Sequence, residues 1–238
     1  MRKGASLEVR HRLSLVSDDQ SSLPRTAYPQ TARNQLSVEV HEARTRQEKE
    51  QLFHFRYPFE TEILDGVQCH TDHRRKRVQD DLDIGAANLL AVRQSELVGA
   101  IRINYAWRCA LGIHADFYRM REVAGSDHPS RSCIVSRLVL DPGSRGDRLG
   151  YRLCTAAYQH ALEHGARIAF LNCKDHLIYY FSVLGFKAYM GRTWHAEYGQ
   201  VVPMKLDLLD EKYLMSIGSP LLPVLRGWKQ SGQPSPVD

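Results

Sequence analysis

The pattern of polar and apolar positions changes at Leu36. Before it, Met1 to Gln35 is rich in Ser, Arg, Gln and Asp, carries Pro24 and Pro29, and keeps no helical or strand period, which predicts a mobile tail over residues 1–35. Ser37-Val38-Glu39-Val40-His41 then alternates as a half-buried strand does. Thr45 to Phe55, charged early and apolar late, predicts a helix. Tyr57 to Asp83 is a long polar segment, longer than most connections in compact domains, so it predicts a loop that is either disordered or functional. Asn88 to Val92 and Leu97 to Tyr105 predict two strands joined by a turn at Gln94-Ser95. Cys133 to Leu140 predicts another, ended by the turn residues Asp141-Pro142-Gly143. Leu149 to His164 places Leu149, Leu153, Ala156, Ala157 and Ala161 on one helical face. Gly165 stops that helix, Ile168 to Leu171 predicts a strand, and His176 to Leu184 a second helix closed by Gly185. Val201 to Leu209 predicts the last strand. The order implies an α/β domain over residues 36–212, a single central mixed sheet flanked by helices, with residues 213–238 as a C-terminal tail. In that tail the apolar piece Leu221 to Trp228 is expected to dock on its own domain, with peripheral membrane contact as the alternative.

Composition narrows the class. A chain of 238 residues, 43% hydrophobic, buries one sizeable core and does not divide comfortably into two. It contains no run of 18 apolar residues, and Met1 to Gln20 builds no signal-peptide core. A cytoplasmic protein without an integral membrane segment is the expectation. Cys69, Cys109, Cys133, Cys154 and Cys173 are scattered, odd in number and without a C-x-x-C pair, as suits reduced thiols. The net charge of +5 accommodates an acidic partner. Its one dense run, His73-Arg74-Arg75-Lys76-Arg77, lacks a recognition-helix pattern, so nucleic acid is not expected. Cys69, His70 and His73 lie beside four cations with no second cluster, and no metal is expected either.

The candidate chemistry begins at Leu138-Val139-Leu140, where an apolar strand passes through Arg145-Gly146-Asp147-Arg148-Leu149-Gly150 into an amphipathic helix. Unpaired N–H groups at a helix start can hold a phosphate, although glycine there is as often turn geometry alone. Arg145-Gly146-x-x-Leu149-Gly150 resembles the pantetheine-pyrophosphate loop of the GNAT superfamily of acyltransferases. Tyr179-Tyr180-Phe181-Ser182-Val183-Leu184-Gly185-Phe186 resembles that superfamily's closing helix. Two positions depart from the pattern. Arg148 stands at the loop's middle glycine, and Phe181 where a tyrosine often protonates the departing thiolate. Phenylalanine donates no proton, which points away from an ordinary acetyl-CoA-dependent acetyltransferase; Tyr179, Tyr180 and Tyr198 are the aromatic alternatives.

Upstream, Arg56, Asp80 with Asp83, Gly99-x-x-Arg102 and Ser136-Arg137 fall in the order found in acyl-homoserine lactone synthases, which are GNAT-like. Ile134 takes the place of the glutamate two residues before their Ser-Arg pair. The chain is more similar to the related long-chain N-acyl amino acid synthases. That resemblance implies a GNAT-like (acyl-CoA N-acyltransferase) fold and transfer of a fatty acyl group to an amino acid's α-amine. The donor would be an acyl-phosphopantetheine thioester, carried on an acyl carrier protein or on coenzyme A, with no tightly bound cofactor. Lactone synthesis and a GNAT-like binding protein without catalysis are the other readings.

In such a reaction a neutral amine attacks a thioester, and the oxyanion formed needs preorganised N–H donors, here expected from Leu138 to Leu140. Asp80 and Asp83 either bind the ammonium or take its proton, or they brace the start of the next strand. Arg102 and Arg137 lie in apolar strands, where an unpaired guanidinium is costly, so each must meet a carboxylate. An internal network with Asp80 and Asp83 is favoured over direct binding of a substrate carboxylate. The basic run suits an acidic acyl carrier protein or is simply a solvated loop.

Overall fold

The computed structural model describes residues 37–63, 70–144 and 148–232. The predicted N-terminal tail, Cys69, and Arg145, Gly146 and Asp147 lie outside the described residues.

Alternating segments form the sheet. β1 (Glu39–Glu42), β4 (Ala87–Arg93), β5 (Glu96–Tyr105), β6 (Ser132–Leu140), β7 (Ile168–Cys173), β10 (Gly199–Asp207) and β8 (Lys187–Ala188) lie side by side in that order, with β9 (Thr193–His195) paired to β10. Among the described strands only β6 and β7 pair in parallel; the other pairings are antiparallel. The β4–β5 turn falls at Gln94-Ser95, both with positive φ (50° and 66°), the backbone that a two-residue hairpin requires.

Period two sends alternate residues to opposite faces. Leu89, Ala91, Ile101, Ile103 and Tyr105 meet α4 (Leu149–Glu163) through Leu149, Leu153, Ala157 and Ala161. Leu90 and Ala100 meet Leu52 and Phe53 of α1 (Arg46–Ile63) on the other face. Gly99 lies beneath α4, where a Cβ would come within 2.9 Å of a Leu153 methyl. The close approach of helix to sheet therefore depends on that glycine.

Two expectations change. The segment after Phe55 is not a loop at once: α1 continues through Pro58 to Ile63. Proline normally disfavours a helix interior. Here Phe59 is buried one turn after Phe55, their rings 5.1 Å apart, and this packing holds the last turns. A hairpin, β2 (Thr71–Asp72) and β3 (Arg77–Val78), then folds back on α1, where Arg77 pairs with Glu50 at 2.9 Å and His54 Nδ1 meets the Lys76 carbonyl at 3.0 Å.

The stretch after β5, for which the pattern predicts no element, is partly helical. It holds α2 (Ile113–Phe117) and α3 (Met120–Ala124), too short to show a period. The segment predicted as one helix begins as a 3-10 turn at Asp175 before α5 (Ile178–Leu184). α6 (Glu211–Ser216) and α7 (Leu222–Gln230) follow β10, and Leu214, Leu221 and Leu225 join the core, so the apolar piece docks on its own domain. No helix among the described residues is long and apolar enough to cross a membrane.

Candidate active site

β6 and β7 pair only from Ser132 with Ile168 to Ile134 with Phe170. Past that point the strands separate. The gap is a cavity of about 370 Å³ whose walls include Val135 to Leu140 on one side and Leu171 to Lys174 on the other. Phe59, Tyr118, Phe181 and Tyr198 are also among its lining residues. Sites of this size, mostly apolar with a few polar groups, suit small organic ligands.

A β-bulge shapes the floor. Gly99 opposes Leu140 and Ala100 opposes Val139, but Arg102 opposes Ser136, so β6 carries one extra residue. Arg137 sits there with φ +50°, a conformation uncommon for a non-glycine residue. Cys133 and Val135 face the α4 side before the bulge; Leu138 and Leu140 do so after it. Without the extra residue Arg137 would point into that apolar layer.

Instead, Arg137 joins a buried ion-pair network on the α1 face. Asn88, Arg102 and Ser136 oppose one another across β4, β5 and β6. Arg102 Nε donates to Ser136 Oγ at 3.1 Å, and its Nη1 reaches Asp80 Oδ1 and, at 3.2 Å, Asp83 Oδ1. Arg56, with 0% exposure, donates from Nη1 to both Asp83 oxygens (2.8 and 3.0 Å) and from Nη2 to Asn88 Oδ1 (2.8 Å). Arg137 donates to Asp80 Oδ2 from Nε (3.0 Å) and Nη2 (2.7 Å), and from Nη2 to Glu197 Oε1 (2.7 Å). The turn carrying the two aspartates is fixed from below, because the Asn104 amide donates to the Leu82 carbonyl and the Asp80 N–H donates to Asp83 Oδ2 at 3.1 Å.

The sequence-selected residues Arg56, Asp80, Asp83, Arg102 and Arg137 thus converge, with the carboxylates that the arginines need found inside the protein. Among the described residues, three guanidinium groups, Arg56, Arg102 and Arg137, face three carboxylates, Asp80, Asp83 and Glu197. Burial alone would raise the Asp80 carboxyl, but Arg102 and Arg137 outweigh it and hold the group well below the usual carboxylate range. Arg56 is pulled down to about 10, first by burial and then by the neighbouring Arg102 and Arg137, against the pull of Asp83. A carboxyl depressed in the folded state contributes stability above its unfolded value of about 3.9, and that contribution is lost as pH falls toward the folded one. Asp80→Asn is therefore expected to be less stable than wild type at pH 7, the difference narrowing below about pH 4. Chemical denaturation across pH checks this; a gap constant down to pH 2 would refute it.

Of the predicted loop, Arg148 lies at the α4 N-terminus with φ +56°, Leu149 is buried, and Gly150 leaves no space for a side chain, since a Cβ there would lie 2.8 Å from the Tyr180 hydroxyl. Arg148 thus adopts backbone natural to the glycine it replaces. Phe181 is buried in the cavity wall, Tyr179 is exposed, and Tyr180 turns its hydroxyl to Cys154 Sγ at 3.8 Å. Burial raises the Tyr180 phenol. The four described cysteines are free and buried, and among the described residues no group of His, Cys, Asp and Glu could hold a metal.

Three residues escaped the sequence reading. Glu197 enters the network from the β9–β10 turn. His195 is buried beside it, its Nδ1 facing the N–H groups of Glu197 and Tyr198 at 3.2 and 3.3 Å. His114 of α2 lies 6.1 Å from His195, ring to ring. The one local signal was Gly199, whose φ of +64° closes that turn.

The family model of the N-acyl amino acid synthase FeeM matches residues 65–207, more than half of the chain. The chain belongs to the FeeM N-acyl amino acid synthase family. It is accordingly an N-acyltransferase. The solved structure of FeeM, an N-acyl amino acid synthase from uncultured soil microbes, superposes with a TM-score of 0.58 at 13% identity, covering 79% of this chain and 98% of that one. BjaI, a CoA-dependent acyl-homoserine lactone synthase solved with MTA, gives 0.60 at 18% identity, covering 77% and 91%. The acyl-homoserine lactone synthase LasI gives 0.57 at 12%, covering 76% and 94%. At these identities the likeness shows the fold alone, the GNAT-like architecture expected from the sequence. No curated protein matches the sequence. The FeeM-family match spans the Asp80 turn, Arg102, the β6 bulge and Glu197, that is, the network apart from Arg56.

Proposed function

We propose that this FeeM-family chain transfers a long-chain fatty acyl group from a thioester, carried by an acyl carrier protein, to the α-amine of an amino acid. The observation that supports this best is the apolar cleft between β6 and β7 opening beside a buried ion-pair network. An acyl chain suits the cleft, and the charged groups of an amino acid suit the network.

The donor's pantetheine would lie at the start of α4, with Arg145, Gly146, Asp147, Arg148, Leu149 and Gly150 around its phosphate; the first N–H groups of a helix have no helical partner and attract anions. Leu138, Val139 and Leu140 follow the last β6–β7 pair and would supply backbone donors to the oxyanion. Asp80, Asp83, Arg102 and Arg137 would shape the acceptor pocket through one another. The basic hairpin would receive the carrier protein, since Arg74, Arg75 and Lys76 are exposed and the hairpin packs on α1, whose Phe59 lines the cavity.

Mass spectrometry of lipid extracts from cells expressing the chain tests the reaction. N-acyl amino acids are the expected product, lactones would select the related synthase chemistry, and no new lipid would overturn the reading. For the partner, reversing charge at Arg74 and Arg75 together is expected to raise KM for the acyl carrier protein about tenfold at low salt, less at high salt, leaving acyl-CoA turnover unchanged. An unchanged KM would place docking elsewhere.

A further inference from the structure

Acylation needs a group that can take a proton, and neither aspartate of the network is suited to it. Asp83 is fully buried, and it accepts two hydrogen bonds from Arg56 and one from the Asp80 N–H beside its ion pair with Arg102. Both Asp80 oxygens are held by Arg102 and Arg137. A carboxylate clamped by guanidinium groups has its lone pairs engaged.

Glu197 differs. Its Oε1 accepts from Arg137, while its Oε2 has no hydrogen-bond partner among the described residues, and the side chain keeps 11% exposure. Two residues tie it to the cavity, since Arg137 lines that space and so does Tyr198, its neighbour in sequence. The backbone around Glu197 is held by His195. Nδ1 accepts the N–H groups of both Glu197 and Tyr198, which places the ring's own proton on Nε2. The imidazole is wedged between Tyr198, stacked at 4.8 Å, and Phe117, edge-on at 4.9 Å. Burial lowers the proton affinity of His195 and of His114, so the two rings do not add positive charge beside Glu197.

We propose that Glu197 is the catalytic carboxylate that receives the acceptor's α-ammonium and removes its proton, with His195 as the residue that positions it. This rests on the acyltransferase reading above. Glu197 takes one proton from the ammonium and passes it to solvent. The neutral nitrogen then forms a bond to the thioester carbon, the C–S bond breaks, and the second proton leaves nitrogen for the departing thiolate, giving amide and thiol. When Glu197 is protonated, Arg137 keeps Asp80 as its partner, so no guanidinium is stranded. Among the described residues, the groups facing Glu197 are Arg137 from β6, His195 and Tyr198 from its own hairpin and His114 from α2, with Asp80 behind Arg137.

The test is steady-state kinetics of the full chain, using a dodecanoyl thioester and the amino acid found in the cellular product, over pH 6 to 10. Glu197→Gln keeps the shape and cannot take a proton. Its turnover at pH 7 is expected to fall about 100-fold or more, and to recover roughly tenfold per pH unit toward the ionisation of the amine, as solvent takes over deprotonation. Glu197→Asp, which retains a carboxylate, is expected to fall between the two with the wild-type pH profile. Wild-type turnover in Glu197→Gln, or a deficit equal at every pH, overturns the proposal; should that variant fail to fold, wild-type turnover in Glu197→Asp overturns it and a reduced rate with the wild-type profile supports it. A wild-type protein that forms no N-acyl amino acid would instead sink the reading beneath, before any variant is compared.

Discussion

Arg56→Leu is expected to lose roughly 3–5 kcal/mol of stability, because it leaves the Asp83 carboxylate buried without its closest partner. For a domain of this size that is a fall of roughly 6–20 °C in melting temperature. Asp83 has 0% side-chain exposure and cannot turn to water for compensation. Denaturation of the single variant and of Arg56→Leu/Asp83→Leu gives the check. Removing both charges is expected to restore much of the loss, since a buried pair replaced whole by apolar groups is often nearly neutral. A single variant as stable as wild type would mean that Arg102 alone satisfies Asp83.

The second large effect concerns chain length. Val135, Leu171 and Phe181 line the cleft and also line a small apolar void in the core beneath α4, bounded by Ala157, Ala161 and Leu184. These three side chains form the partition at which an acyl chain would end. Val135→Phe thickens the partition and is expected to shift donor preference to chains shorter by two or more carbons. At about 0.8 kcal/mol per buried methylene, two carbons correspond to more than tenfold in relative kcat/KM. Competition between thioesters of eight to sixteen carbons reads this out; an unchanged preference would mean that the chain does not reach Val135.

The strands and α4 were legible because their signal is local. Leu89 and Ala91, or Ile101 and Ile103, declare a face within a few residues, and Leu149, Leu153 and Ala157 do the same at helical spacing. Arg102 and Arg137 were legible for another reason: a charge among apolar residues announces a partner, and Asp80 and Asp83 were the nearest carboxylates in the pattern. Glu197 was not, because it stands 60 residues from Arg137 and joins it only through a hairpin at the far side of the sheet. The continuation of α1 past Pro58 was hidden for a similar reason, since the burial of Phe59 that sustains it is a tertiary contact. α2 and α3, five residues each, are shorter than the period by which they would be recognised.

The single extra residue in β6 has a consequence for what this strand tolerates. Before Arg137 the odd positions face α4, after it the even ones do, so the strand's parity is set once and carried to its end. Leu140 lies near the position a Cβ would take on Gly99 and on Gly150, joining β5 and α4 at one point. A different side chain at Val139 leaves that parity intact. One residue more or less between Ser136 and Leu140 reverses it, turning Leu140 out of its place between the two glycines. In this stretch the protein can vary in composition and not in length.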